Sequence, residues 1–153
     1  MEIRRWVAEN GLALHPDKTQ IGDCRQPGQG FEFLGYRFEG GRRFVRRKSW
    51  QKIRERIRSQ TRRTRGDSLS RIVAELNPIL KGWYGYFRHA HRRTFPTLDA
   101  FVRRRLRALL CKQQKRPSQG HHRAAHQRWP NRYFAEMGLF TITTVHRAAC
   151  RSR

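Results

Sequence analysis

Thirty basic residues stand against five acidic ones between positions 41 and 153, a local net charge of +25, whereas positions 1–40 carry five basic and six acidic residues and net to −1. A segment so charged can fold only if its cations are sorted away from its apolar residues. The runs Arg42-Arg43, Arg46-Arg47-Lys48, Arg62-Arg63 and Arg103-Arg104-Arg105 alternate with Trp, Tyr, Phe and Leu instead of forming a tail of pure charge. That interleaving predicts helices with one apolar and one basic face. Leu, Ile, Val and Phe amount to 32 of 153 residues, just above the roughly 20% below which highly charged chains fail to bury a core. The expectation is a small, mainly α amphipathic helix bundle facing an anionic partner, with a small N-terminal β-hairpin. Nothing approaches the ~18 uninterrupted apolar residues of a membrane span, and no signal-peptide pattern is present, so no membrane partner is expected. Three cysteines far apart argue against a disulfide framework and for a reducing compartment.

Ile3, Trp6 and Val7 predict a short helix closed by Asn10-Gly11, with glycine as left-handed cap. A turn at His15-Pro16-Asp17 and a short strand over 19–23 follow. Phe31 to Phe38 reads as a strand, Gly40-Gly41 as a two-residue hairpin turn, and Phe44-Val45 as the returning strand. From Ser49 to Arg65 the only apolar residues are Trp50, Ile53 and Ile57. At ~100° per residue they share a sector of about 60°, the mark of a narrow-striped helix. Gly66-Asp67 breaks it, and Asp67 or Ser68 caps the next helix, striped by Leu69, Ile72, Val73 and Leu76. Asn77-Pro78 predicts a further cap and a new helix carrying Ile79, Leu80, Trp83, Tyr84 and Phe87. A long helix opened by Thr94 or Thr97 follows, with Asp99 complementing its dipole and Arg105 lying close to the apolar stripe. Residues 113–127 read as a loop, and 129–149 as one more packed element.

Four segments carry a family resemblance. Gly11 to Thr19 (GLALHPDKT) is similar to the stretch after the catalytic site of group II intron reverse transcriptases, and Gly30 to Tyr36 (GFEFLGY) to the primer-grip hairpin of their palm. Leu76 to His89 (LNPILKGWYGYFRH) and Phe95 to Leu106 (FPTLDAFVRRRL) resemble the maturase-specific domain, domain X, of the same family. The resemblance implies a palm remnant over 1–47, beginning at an internal Met, and a maturase-specific RNA-binding domain over 48–153. It implies Phe33, Leu34, Gly35 and Tyr36 as primer-grip-like residues, and Lys18 as the counterpart of a lysine beside the polymerase site. Two family features are missing from the sequence, the metal-holding aspartates of the polymerase site and the downstream HNH endonuclease module with its cysteine pairs. There is no Tyr-Ala-Asp-Asp box, and no two acidic residues are adjacent, so no paired carboxylates are available for a two-metal clamp.

The expectation is therefore a non-enzymatic module without cofactor or metal, gripping group II intron RNA and assisting its splicing in the bacterial cytoplasm or at the nucleoid. An RNA–DNA duplex and the missing reverse-transcriptase half are further candidate partners. Three alternatives stand beside it: a severed polymerase part that needs its palm and fingers, a decayed mobile-element remnant, and a ribosome-associated basic protein. Lys52, Arg56, Arg62, Arg63, Lys81, Arg88, Arg103, Arg104 and Arg107 are the candidate phosphate contacts. Helical spacing puts Trp83 and Phe87 in the core and leaves Tyr86, at the edge of the stripe, as the candidate for base stacking. Gly82 and Gly85 weaken their helix, which calls for close approach by either an RNA backbone or another helix. His121, His122 and His126 lack the fourth ligand and spacing of a zinc site.

Overall fold

The computed structural model describes residues 2–16, 19, 23–26, 28–115, 120 and 122–151. Lys18, His121 and the centre of the strand expected over 19–23 lie outside them. Helix α1 spans Glu2–Glu9. Gly11, at φ +67°, reverses the chain after it, and the amide of Leu12 donates to the carbonyl of Val7 at 3.0 Å.

The expected strand over 31–38 is two strands. Phe31–Phe33 (β1) and Tyr36–Glu39 (β2) are joined by Leu34-Gly35, both at positive φ (46° and 80°), which is the backbone of a tight hairpin. Arg42–Val45 (β3) returns after Gly40-Gly41, completing an antiparallel sheet ordered β1-β2-β3. Gly35 is required where it stands. A Cβ there would lie 3.2 Å from Ser49 Oγ and 3.3 Å from Phe87 Cζ.

Helix α2, Arg47–Gln60, stops five residues earlier than its composition predicts. Thr61, fully buried, donates its hydroxyl to the carbonyl of Ile57 at 2.7 Å. Arg105 then donates to the Thr61 hydroxyl at 3.0 Å and the Thr61 carbonyl at 2.7 Å. The arginine beside the apolar stripe thus caps the negative end of another helix.

Ser68 accepts from the amide of Arg71 and opens α3, which runs unbroken over Leu69–Phe87. The new start expected at Asn77-Pro78 does not occur. Asn77 sends its side chain elsewhere, donating to the Gly138 carbonyl and accepting from the Phe140 amide, both at 2.8 Å. Leu76 and Leu80, 0% and 1% exposed, anchor the helix on either side of the proline. Pro78 and Ala74 face solvent, where water can serve the carbonyl left without a donor.

Helix α4, Thr94–Gln113, carries Pro96 in its first turn, a position that needs no amide proton. Asp99 reaches out of it to cap α7 (Ile142–Arg151), accepting from the Ile142 amide (3.1 Å), the Thr143 amide (2.9 Å) and the Thr143 hydroxyl (2.5 Å). The expected loop contains α5, Arg123–Arg128, held by buried Ala125 and followed by buried Trp129. The single terminal element is two helices, α6 (Asn131–Glu136) and α7. One core joins Ile57, Ile72, Leu76, Phe95, Leu106 and Phe134. The sheet leans on α3 through Tyr36, whose ring meets Phe87 at 5.1 Å.

Candidate nucleic-acid interface

The acids of the basic segment are largely committed. Asp67 and Glu75 pair with Arg65 and Arg71, and Asp99 is spent on α7. Among the described residues no carboxylate pairs with Lys52, Arg54, Arg56, Arg58, Arg88 or Arg104. Their charge is left for something outside the chain.

Two surfaces collect it. The first is a groove of about 390 Å³ between α2 and α3, with Lys52 and Arg56 on one wall and Pro78, Gly82 and Trp83 on the other. Pro78, Gly82 and Gly85, spaced four and three apart, form one ridge of α3. A Cβ added at Gly82 or Gly85 would meet nothing within 4 Å. No neighbouring helix among the described residues explains them. The second surface is built around Phe101 of α4, 6% exposed, whose ring has three guanidinium groups over it: Arg54 at 5.2 Å, Arg104 at 5.3 Å and Arg58 at 5.7 Å. The Nε of Arg54 is buried without a hydrogen-bond partner. Burial, then the charges of Arg58, Arg104 and Arg63, pull the Arg105 guanidinium below its ordinary pKa. Burial is the larger cause, and the three neighbouring cations add to it.

The expected contact residues divide. Lys52, Arg56, Arg62, Arg63, Lys81, Arg88 and Arg104 are exposed. Lys81 Nζ lies 5.9 Å from the Phe140 ring, and Arg88 donates to His89 Nε2 at 3.2 Å. Arg103 is half-buried, and that burial lowers its pKa against the opposing pull of Asp99. Arg107 must be corrected. It is 2% exposed, donates to the Trp129 carbonyl (2.9 Å) and Asn131 Oδ1 (2.8 Å), and lies over Phe134 at 5.3 Å. A guanidinium so enclosed holds α4 to α5 and α6 and does not reach a phosphate in this fold.

Tyr86 is 55% exposed, yet its hydroxyl donates to the Leu34 carbonyl at 2.8 Å while Tyr36 donates back to the Tyr86 carbonyl at 2.7 Å. The two rings stack at 6.2 Å. This reciprocal clasp ties the Leu34-Gly35 turn to α3. It leaves Phe33 and Leu34 at the tip, 59% and 65% exposed, with Gly35 and Tyr36 half-buried beneath. Trp83 and Phe87 are buried at 9% and 6%. Arg54 and Arg58, on the basic face of α2, were not among the expected contacts, although Arg54 stands four residues beyond Trp50 and covers its ring at 5.3 Å. No group of three metal-ligating side chains is present among the described residues, nor any helix long and apolar enough to cross a membrane.

The family described as the group II intron, maturase-specific domain matches residues 50–129, which is 80 of the 153 residues. The match runs from Trp50, inside α2, to Trp129, just past α5, and so includes the cations of both basic surfaces. No curated protein matches the chain.

Proposed function

The chain belongs to the group II intron maturase-specific domain family, and from that premise we propose that it grips structured group II intron RNA and stabilises its splicing-competent fold. The matched domain is the maturase-specific one and not a catalytic palm. In this reading catalysis stays with the RNA, and the protein supplies charge neutralisation and position. The RNA backbone lies along the α3 ridge, its phosphates reached by Lys52 and Arg56 from one side and Lys81 and Arg88 from the other. Arg54, Arg58 and Arg104 extend the track across α4. Residues 1–47 are the end of a palm and 48–153 the RNA-binding domain proper.

One observation carries this reading best. Two glycines stand in the last two turns of α3, each costing up to about 1 kcal/mol relative to Ala, and no described residue makes use of the space they open. An external backbone does, and the unpaired cations beside them state its charge. The test is splicing of a group II intron RNA at low magnesium with and without the protein. Stimulation that is lost in Lys52→Gln/Arg56→Gln supports the proposal, and equal stimulation by that variant refutes it.

A second reading has its own support. Ile3, Trp6, Leu12, Phe33 and Leu34 are 59–73% exposed, so the most exposed large apolar side chains lie in the near-neutral first forty residues. They suit docking of a reverse-transcriptase palm and fingers, with an RNA–DNA duplex held by the assembly. Primer extension on mixing the chain with that missing half decides this reading.

A further inference from the structure

A second cleft, about 480 Å³, opens where the α3–α4 connection meets α7. Arg92 and Arg93 line it from the connection, and Phe95 and Pro96 from the first turn of α4. Thr143, His146, Arg147, Cys150 and Arg151 line it from α7. Their spacing of three, one, three and one places them on a single helical face. Four guanidinium groups thus border one cleft, no carboxylate lines it, and none of the four is ion-paired among the described residues. The nearest acid along α4, Asp99, already accepts three hydrogen bonds at the start of α7.

The negative end of α7 accounts for one or two cations in its last turns. It does not account for Arg92 and Arg93, which come from another element. The cleft floor is firm: His146 packs on Phe95 at 4.3 Å between ring centroids, and Cys150 Sγ lies 3.6 Å from His146 Nε2. A volume of that size exceeds a lone phosphate and falls within the ~300–1,000 Å³ of sites that hold a nucleotide-sized group. Guanidinium forks suit phosphate oxygens, and several of them suit consecutive phosphates.

We propose that this cleft is a second RNA site, taking two adjacent phosphodiesters of a strand between Arg92/Arg93 and Arg147/Arg151. It rests on the RNA-binding reading and adds α7, which lies beyond the matched residues, to the surface that RNA covers.

Cys150 supplies the readout. It is exposed in the cleft, whereas Cys111 is buried and Cys24 is half-buried in the near-neutral segment. The full chain is alkylated with iodoacetamide, alone, with group II intron RNA, or with millimolar pyrophosphate, and Cys150 and Cys24 are followed by peptide mass. In parallel, RNA affinity against salt is measured for wild type and for Arg147→Gln/Arg151→Gln, with thermal unfolding as the check on folding. The expected result is RNA protection of Cys150 but not Cys24. The folded variant should bind on the order of tenfold more weakly at 0.1 M salt, with a slope flatter by about 1–2. RNA binding without Cys150 protection, or a folded variant that binds like wild type, overturns this proposal alone. So does protection by pyrophosphate but not by RNA, which would make the cleft a free-anion site. Failure of wild type to bind RNA overturns the functional reading and this one with it.

Discussion

Replacing Gly82 and Gly85 together by alanine separates folding from binding, because the two are expected to move in opposite directions. Both positions lie inside α3, and the added methyl groups meet nothing within 4 Å. Helix propensity alone then stabilises the fold by up to about 0.8–1 kcal/mol per site, with Gly85, in the last turn, giving the smaller share. For a chain of 153 residues the pair should raise the unfolding midpoint by up to roughly 5–7 °C. At the RNA the same methyl groups hold a touching sugar–phosphate backbone off by about 1.5 Å. Lengthening a cation–phosphate contact from about 4 to 5.5 Å costs roughly 0.3 kcal/mol at the dielectric of water and about 1 kcal/mol at an effective value near 20. Over two contacts the affinity should fall between about threefold and fortyfold. Flexible Lys52 and Arg56 side chains can follow the strand, which favours the lower half of that range. Circular dichroism melting and fluorescence anisotropy with labelled intron RNA read the two effects. A variant that is more stable and binds RNA as well as wild type refutes the ridge as the contact. A variant that is less stable shows that the glycines serve the protein's own packing.

Three further outcomes follow from the packing. Arg107→Met leaves the Trp129 carbonyl and Asn131 without their donors, so it should cost about 2–4 kcal/mol by denaturant unfolding while the folded fraction keeps its RNA affinity. Tyr86→Phe removes the hydroxyl held by the Leu34 carbonyl, and hydrogen exchange in β1 and β2 should quicken with a local loss of about 1 kcal/mol; unchanged exchange would mean that the clasp does not hold the turn. His146 and His91 are both held below the usual histidine pKa, first by burial, and for His91 also by Arg42, Arg93 and Arg92. Their unfolded forms therefore bind the proton more readily, so stability is complete above about pH 6.5 and declines as pH falls below it. Melting between pH 7.5 and 5.5 should show the decline, with a shallower one in His146→Phe.

Much of this arrangement was readable because charge and apolar period run in step. The helical stripes, the Gly40-Gly41 turn, the Ser68 cap and the burial of Trp83 and Phe87 all follow from local spacing. What escaped depends on partners far along the chain. Asn77 and Pro78 carry a helix-start signature, but the Asn77 amide finds Gly138 and Phe140, and Leu76 and Leu80 hold the helix straight through. Arg105 and Arg107 look alike in an Arg-rich run, and one caps α2 while the other is enclosed by α5 and α6. Leu34-Gly35 reads as strand interior because leucine rarely takes positive φ, and the clasp with Tyr86 supports it there. The basic surface around Phe101 and the cleft beside α7 each join elements that no local pattern brings together.

The central claim is that uncompensated cations on α2, α3 and α4 hold RNA through its phosphates. Its most direct test is the affinity of the full chain for group II intron RNA across a salt series. With about six phosphates engaged, log affinity should fall against log salt with a slope of roughly −4 to −6. A flat dependence would contradict the electrostatic grip at its root.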